Sequence, residues 1–370
     1  MVPVLPLPRL LFGAGALSGL AGELTLLGVR RPLLLSDRGL ERAGAVAAAL
    51  RALPQGVTAH LDTPENPTVA GADIAYADYR AGACDGVVAL GGGSVIDTAK
   101  ILAALAGTAL QGSAELLGQP ERIGRNTVPL VAIPTTVGTG SESSPVSALH
   151  TVPGGPAIGT RSPFLVPRVA ICDPDLVRTL PRRLIAATGV DALSHCIEGF
   201  FAEPANPVID ALALDGIARV FADIRAALEP EGDAARASLM AAAFAGGAAI
   251  HKGLGPAHAI ALVCGDQDLH HGTLIAAALP VTTELLARHV PGKAARVAAA
   301  LGLATGEEIA PALRTLMREL GLPATYKAAG YVAGPLDTLI DGVVASHFNR
   351  TSAYVPTREE YGTALRALVA

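Results

Sequence analysis

The chain has 370 residues, which at roughly 100–200 residues per domain predicts two domains or three. With 28 Lys and Arg against 33 Asp and Glu, a net charge of −5, no Trp and 4% aromatics, it lacks the basic, stacking surface of a nucleic-acid binder. At 51% hydrophobic and 16% charged residues it is too apolar for disorder.

No segment read from the sequence suits a bilayer. The charge-free stretch Asn126–Ser141 is broken by prolines, and Ala237–Ile250 is too short to span. Pro3, Pro6, Pro8 and Arg9 interrupt any leader-like run, so a soluble, cytoplasmic protein without a membrane partner is expected. Cys84, Cys172, Cys196 and Cys264 show no CxxC spacing and read as buried free thiols.

In chain order, Arg31–Ser36 is a short apolar strand ending at Asp37, followed by a helix over Leu40–Leu53. Asp85–Leu90 is a second buried strand, running into Gly91-Gly92-Gly93-Ser94 and a helix from Val95 to about Ala106. Val128–Ile133 repeats the pattern and ends in Pro134-Thr135-Thr136. Such alternation predicts an α/β domain with a mainly parallel sheet, over residues 1–178, with ligands at the C-terminal strand ends. From residue 179 to 370 strand signals fade. Helical periods run through Asn206–Ala227, Ala234–Ile250, Thr273–Leu286, Lys293–Ala300, Ile309–Leu320 and Leu336–Phe348. An all-helical second domain follows, with a small-ligand cleft expected between the halves.

Three features carry chemistry. Gly91–Asp97 lies between strand and helix, where glycines and free helical N–H groups can receive a phosphate, although such a run is often only a turn. It is neither GxGxxG nor a P-loop. Asp37 reads either as a ribose-diol acceptor, which would favour NAD over NADP, or as a helix cap. The hydroxyl-rich loop Thr135–Glu142 reads as a pyrophosphate or carboxamide wrap, or as a surface loop with local turns. Asp191 and His195, spaced i, i+4, share one helix face. With His258 and His271 they make a donor set suited to Fe(II) or Zn(II), against the alternative of ordinary core and surface histidines.

Four ordered motifs, GGGSVIDTAK (91–100), PTTVGTGSE (134–142), DALSHCIEG (191–199) and GLGPAHAIAL with LHHG (253–272), resemble the iron-containing (group III) alcohol dehydrogenases. FGAGAL (12–17), LSDRGL (35–40) and NPT (66–68) extend the likeness over nearly the whole chain. The resemblance implies a dehydroquinate synthase-like fold, a dinucleotide-binding α/β domain followed by a helical metal-binding domain. It implies NAD(H)-linked interconversion of a small alcohol and its aldehyde, and a homodimer. By motif position Asp191, His195, His258 and His271 match metal ligands. Asp37, Asn66, Gly92, Gly93, Ser94, Thr135, Thr136, Thr139 and Leu176 match nucleotide contacts. NAD(H) is expected over NADP(H), with one divalent metal, Fe(II) ahead of Zn(II) and Mn(II).

The chain departs from that pattern in places. Leu262 stands where relatives carry a proton-relaying histidine, Val263–Asp268 replaces a familiar segment, and a common lysine is missing near Pro156–Ala157. The catalytic candidates are therefore His271, with Asp266, His270 or His251 as substitute relays. His251, Lys252, Arg161 and Arg168 suggest a positive corner for an anionic aldehyde, such as phosphonoacetaldehyde or a semialdehyde. Two other readings stand beside this one: a metal-independent maleylacetate reductase type, and an inactive nucleotide-binding relative.

Overall fold

The computed structural model describes residues 6–155, 157–267 and 269–370. Outside the described residues lie Pro3 of the leader reading, the missing-lysine position at Pro156, and Asp268. The chain divides between Leu180 and Pro181 into two units.

The first unit contains, in order, β1 (Arg9–Phe12), α1 (Leu20–Leu27), β2 (Pro32–Leu35), α2 (Arg38–Arg42), α3 (Ala45–Arg51), β3 (Thr58–His60) and α4 (Val69–Ala81). It continues with β4 (Gly86–Gly91), α5 (Gly93–Ala106), β5 (Leu130–Pro134), β6 (Val146–His150), β7 (Ala157–Arg161) and β8 (Val169–Cys172). Six strands form one sheet in the order β1-β8-β5-β4-β2-β3, every pair parallel. The central strands are apolar at every position because both faces are covered. Leu34, Val88, Leu90, Val131 and Ile133 fill one face, and Leu33, Leu35, Val87, Ala89 and Ala132 the other. The expected helix over Leu40–Leu53 is instead two pieces, α2 and α3. Gly44, at φ 84°, breaks it in the left-handed region that side chains avoid. Sequence reading also missed the antiparallel pair β6–β7, whose strands are short and only half-buried in alternation.

From β2 the chain moves outward to β3, and from β4 it moves the opposite way to β5. The order therefore reverses between β2 and β4, and ligands favour the crevice at such a switch point. Asp37, the glycine run and Thr135-Thr136 follow the C-terminal ends of β2, β4 and β5.

The second unit is helical: α6 (Arg182–Phe201), α7 (Pro207–Ala227), α8 (Asp233–Ala249), α9 (Pro256–Val263), α10 (His271–His289), α11 (Pro291–Ala300), α12 (Ile309–Glu319), α13 (Leu336–Val344) and α14 (Arg358–Val369). Buried from Ile185 to Phe201, α6 packs against α7, α8 and α10. It is long and apolar enough to cross a membrane by length and composition, yet 94% of its apolar window lies inside the protein. It carries Asp191, His195 and Glu198, as a core helix holding polar groups for local use.

Candidate metal centre and nucleotide loops

Asp191, His195 and Glu198 recur at i, i+4 and i+7, which at 3.6 residues per turn places them within about 60° of one another on α6. The N-terminal part of α9 contributes His258, and the first residue of α10 is His271. Three helices thus converge on one point. One ligand atom each from Asp191, His195 and His258 lie within 4.8 Å of one another. Asp191 Oδ1 stands 3.6 Å from His195 Nε2, 3.9 Å from His258 Nε2 and 3.7 Å from His271 Nε2. A tetrahedral ion with metal–nitrogen bonds near 2.1 Å would set donors about 3.4 Å apart, so the spacing is that of a coordination edge.

The electrostatics agree. Asp191 is 4% exposed and His258 3% exposed. Asp191 Oδ1 and His258 Nε2 are buried without a hydrogen-bond partner among the described residues, an arrangement costly unless a ligand completes it. Burial pushes the Asp191 carboxyl up, opposed by the positive forms of His271, His258 and His270. Desolvation lowers His271 to about 4; Asp191 opposes this, and His258, His195 and His270 add to it. Its side chain is 52% exposed, so lost water accounts for less of that lowering than full burial would. A divalent cation selects neutral imidazole and anionic carboxylate: the lowering of His271 already runs that way, while buried Asp191 would owe its charge to the cation. The donor set fits a metal.

Sequence reading missed Glu198. Its carboxylate is 1% exposed and accepts His258 Nδ1–H at 2.6 Å and the Ala257 N–H at 2.6 Å. The spacing seven residues after Asp191 was the available signal. Phe348 packs its ring 5.7 Å from that of His258.

The relay candidates are placed differently. His270 lies directly before α10, its Nδ1 buried without a hydrogen-bond partner among the described residues. Asp266 is exposed. His251 is 3% exposed, in the turn after α8. The positive corner drawn from Lys252 is corrected: its ammonium donates to Asp210 at 2.5 Å and to the Phe200 carbonyl at 3.3 Å, within the helical unit. A buried cation is tolerated only when so paired.

In the sheet unit, α5 begins at Gly93 with Gly92 as its cap, and no side chain caps it. Its first N–H groups point out beyond the end of β4, with the positive end of the helix dipole. The glycines are closely packed against the threonine loop. A Cβ on Gly92 would stand 3.0 Å from Thr136 Cγ2, and one on Gly93 would stand 2.9 Å from Thr139 Cγ2. Glycine run and threonine loop therefore form one surface. Thr136 Oγ1 is buried without a hydrogen-bond partner among the described residues, while the Thr135 N–H donates to the Gly91 carbonyl at 3.1 Å. Ser94 donates to the Glu65 carbonyl, beside exposed Asn66. Asp37 caps α2, accepting the Leu40 N–H at 2.9 Å on Oδ1. The cap reading is thus present, with Oδ2 not engaged by it. Leu176 sits in a turn over Pro174–Val177 and packs on the sheet core.

A second unforeseen group ties the loop to α5. Lys100, wholly buried, donates to the Ser144 and Val146 carbonyls at 3.0 and 2.6 Å. Asp97 accepts from Ser141 and, at 2.9 Å, from the Ala148 N–H. Desolvation lowers Lys100 to about 8 and raises Glu142 to about 7. Two ionisable residues three apart in an otherwise apolar helix were the sequence signal.

Comparison with known proteins agrees with both units. Residues 8–174 match the model of the iron-containing alcohol dehydrogenases, and residues 185–369 match that of the C-terminal domain of the same family. The chain is 38% identical over 362 residues to 4-hydroxybutyrate dehydrogenase of Cupriavidus necator, covering 94% of each. It is 36% identical over 284 residues to the probable alcohol dehydrogenase EutG of Escherichia coli, covering 75% of this chain and 71% of that one. Among solved structures, a 1,3-propanediol oxidoreductase superposes with a TM-score of 0.92 at 29% identity, covering 99% of both chains. Sulfoacetaldehyde reductase from Bifidobacterium kashiwanohense, solved in complex with NAD+, gives a TM-score of 0.92 at 25% identity, covering 100% of this chain and 99% of that one. The chain is an oxidoreductase that belongs to the iron-containing alcohol dehydrogenase family.

Proposed function

We propose that this enzyme is a metal-dependent reductase that uses NADH to convert a small aldehyde bearing an acidic group into its alcohol. One observation carries the metal dependence: buried, partnerless Asp191 Oδ1 and His258 Nε2 converge with His195, and a metal-independent enzyme would gain nothing from that cost. Asp191, His195, His258 and His271 would hold the ion, with Fe(II) the first choice and Zn(II) or Mn(II) the alternatives. When bound, the ion supplies Lewis acidity toward the substrate oxygen.

The chain's own residues do the rest. Gly92, Gly93 and Ser94 present backbone N–H groups to the pyrophosphate, and Thr135, Thr136 and Thr139 supply hydroxyls. Asn66, after β3, and Leu176, after β8, are the remaining nucleotide contacts of this reading. Asp37 Oδ2 accepts from the ribose diol and repels a 2′-phosphate, giving the preference for NAD(H). His270 replaces the relay histidine lost at Leu262, because its buried Nδ1 has no hydrogen-bond partner among the described residues. Asp266 and His251 are the next candidates to test. The acidic substrate class is supported by two relatives, named for 4-hydroxybutyrate and sulfoacetaldehyde.

The test is elemental analysis of the purified enzyme together with NADH oxidation on succinic semialdehyde, sulfoacetaldehyde and phosphonoacetaldehyde against butanal, before and after chelation. The expected result is about one metal per chain, chelator-sensitive turnover, and kcat/KM at least about tenfold higher for one of the anions, a difference near 1.4 kcal/mol. Equal kcat/KM for butanal would remove the acidic class. Undiminished turnover in metal-free enzyme would favour the maleylacetate reductase type.

A further inference from the structure

The start of α9 lacks a helix cap of its own. Gly255 has no side chain to offer, and Pro256 at the first helical position has no N–H, so the first orphan donors are those of Ala257 and His258. Glu198 reaches them from α6. One carboxylate oxygen accepts the Ala257 N–H at 2.6 Å. The other accepts His258 Nδ1–H at 2.6 Å and, at 3.4 Å, the His258 N–H. Gly255 permits this approach, since a Cβ there would stand 3.0 Å from Glu198 Oε1. A buried carboxylate on the N-terminus of a helix is also favoured by the helix dipole.

We propose that Glu198 is the positioning residue of the metal centre: by capping α9 and accepting the hydrogen bond from His258 Nδ1–H, it leaves His258 Nε2 as a bare lone pair facing Asp191. The inference deepens the metal-centre reading and rests on it. A neutral imidazole carries one proton, and the partner of one nitrogen decides which nitrogen is free to ligate. A carboxylate can only accept, so opposite Nδ1 it demands Nδ1–H. The orphaned state of His258 Nε2 is the expected counterpart. Through one helix, α6 thus supplies two donors and sets the orientation of a third.

Glutamine at this position cannot do both tasks. Its single carbonyl oxygen satisfies either the Ala257 N–H or His258 Nδ1–H, and its amide N–H groups oppose the other donor unless His258 moves its proton to Nε2. The experiment uses the full-length, metal-free chain with 15N-labelled imidazoles at about pH 8.5, where free imidazole is neutral. His258→Ala identifies the His258 signals. Zn(II) affinity is read in parallel by competition with a chromophoric chelator. Wild type should show the Nδ1–H tautomer. In Glu198→Gln the Nε2–H form should appear and Zn(II) affinity should fall about 10–100-fold, with Glu198→Asp intermediate. A merely structural role would lower the melting temperature of Glu198→Gln but leave the tautomer and the affinity where they were. That result, or an Nε2–H tautomer in wild type, would overturn the proposal. Should wild type bind no Zn(II), the metal-centre reading falls, while the tautomer comparison still decides whether Glu198 positions His258. Glu198→Gln is the nearly isosteric variant, so its folding is secured where that of Glu198→Ala is not.

Discussion

In the nucleotide cradle proposed at the ends of the parallel strands, the groups are mostly backbone N–H groups and small hydroxyls, drawn from β2, β4 and β5 within one sheet. In the helical unit they are side chains alone, one carboxylate and three imidazoles from α6, α9 and α10. The first arrangement depends on what is missing, the Cβ atoms that would crowd Thr136 and Thr139. The second depends on what is present and unpaired. A backbone cradle is damaged by adding atoms, and a ligand cluster is damaged by removing them.

That contrast can be broken by a pair of variants. The largest effect is expected for His195→Ala, which deletes a donor. Metal content should fall to near zero and kcat/KM by on the order of 10³-fold or more, equivalent to roughly 4 kcal/mol of transition-state stabilisation. NADH affinity should stay within about twofold, the range of 0.4 kcal/mol. Gly93→Val should do the reverse. Its branched side chain meets Thr139, so NADH binding should weaken about 10–100-fold, some 1.4–2.8 kcal/mol, at unchanged metal content. Fluorescence titration with NADH and elemental analysis on both variants decide the matter. Loss of both cofactor and metal in either variant would show that the two sites are not built independently.

A smaller effect sharpens the view of the loop behind the cradle. Glu142 is 1% exposed and its Oε1 has no hydrogen-bond partner among the described residues. Desolvation raises it from 4.5 to about 7 against the pull of its own backbone and Lys100. Because folding raises this pKa, the folded state binds the proton more tightly. The contribution of the proton to stability is complete below 4.5 and is lost as pH rises through about 7. Glu142→Gln imitates the protonated form. Its melting temperature should match wild type near pH 4.5 and exceed it by several degrees at pH 8. The same difference at both pH values would show that the Glu142 charge is not the cause.

How much of this was legible beforehand differs between the two halves for physical reasons. Buried parallel strands read as unbroken apolar runs, so β2, β4 and β5 and the loops after them were visible, as was the helical character beyond Pro181. The pairing of β6 with β7 was not, since half-buried alternation over five residues competes with loop-like composition. Gly44 shows the limit of periodicity: the Ala-rich pattern continues through a residue whose backbone turns the chain aside. Lys252 shows the limit of charge reading, for a lysine in sequence looks available until Asp210 is found against it.

What the sequence by itself determined is local: the strand-to-glycine-to-helix turn at Gly91–Asp97, the i, i+4 pair Asp191 and His195, and the four motifs in order. Their signals lie within a few residues, where periodicity and steric need act directly. What only the tertiary structure decided is the company each residue keeps. Glu198 holds His258 across a separation of 60 residues, and Lys100 reaches Ser144 across 44. Hydrogen bonds between distant segments leave no periodic trace in the chain. They form because burial removes water and obliges each polar group to find a partner.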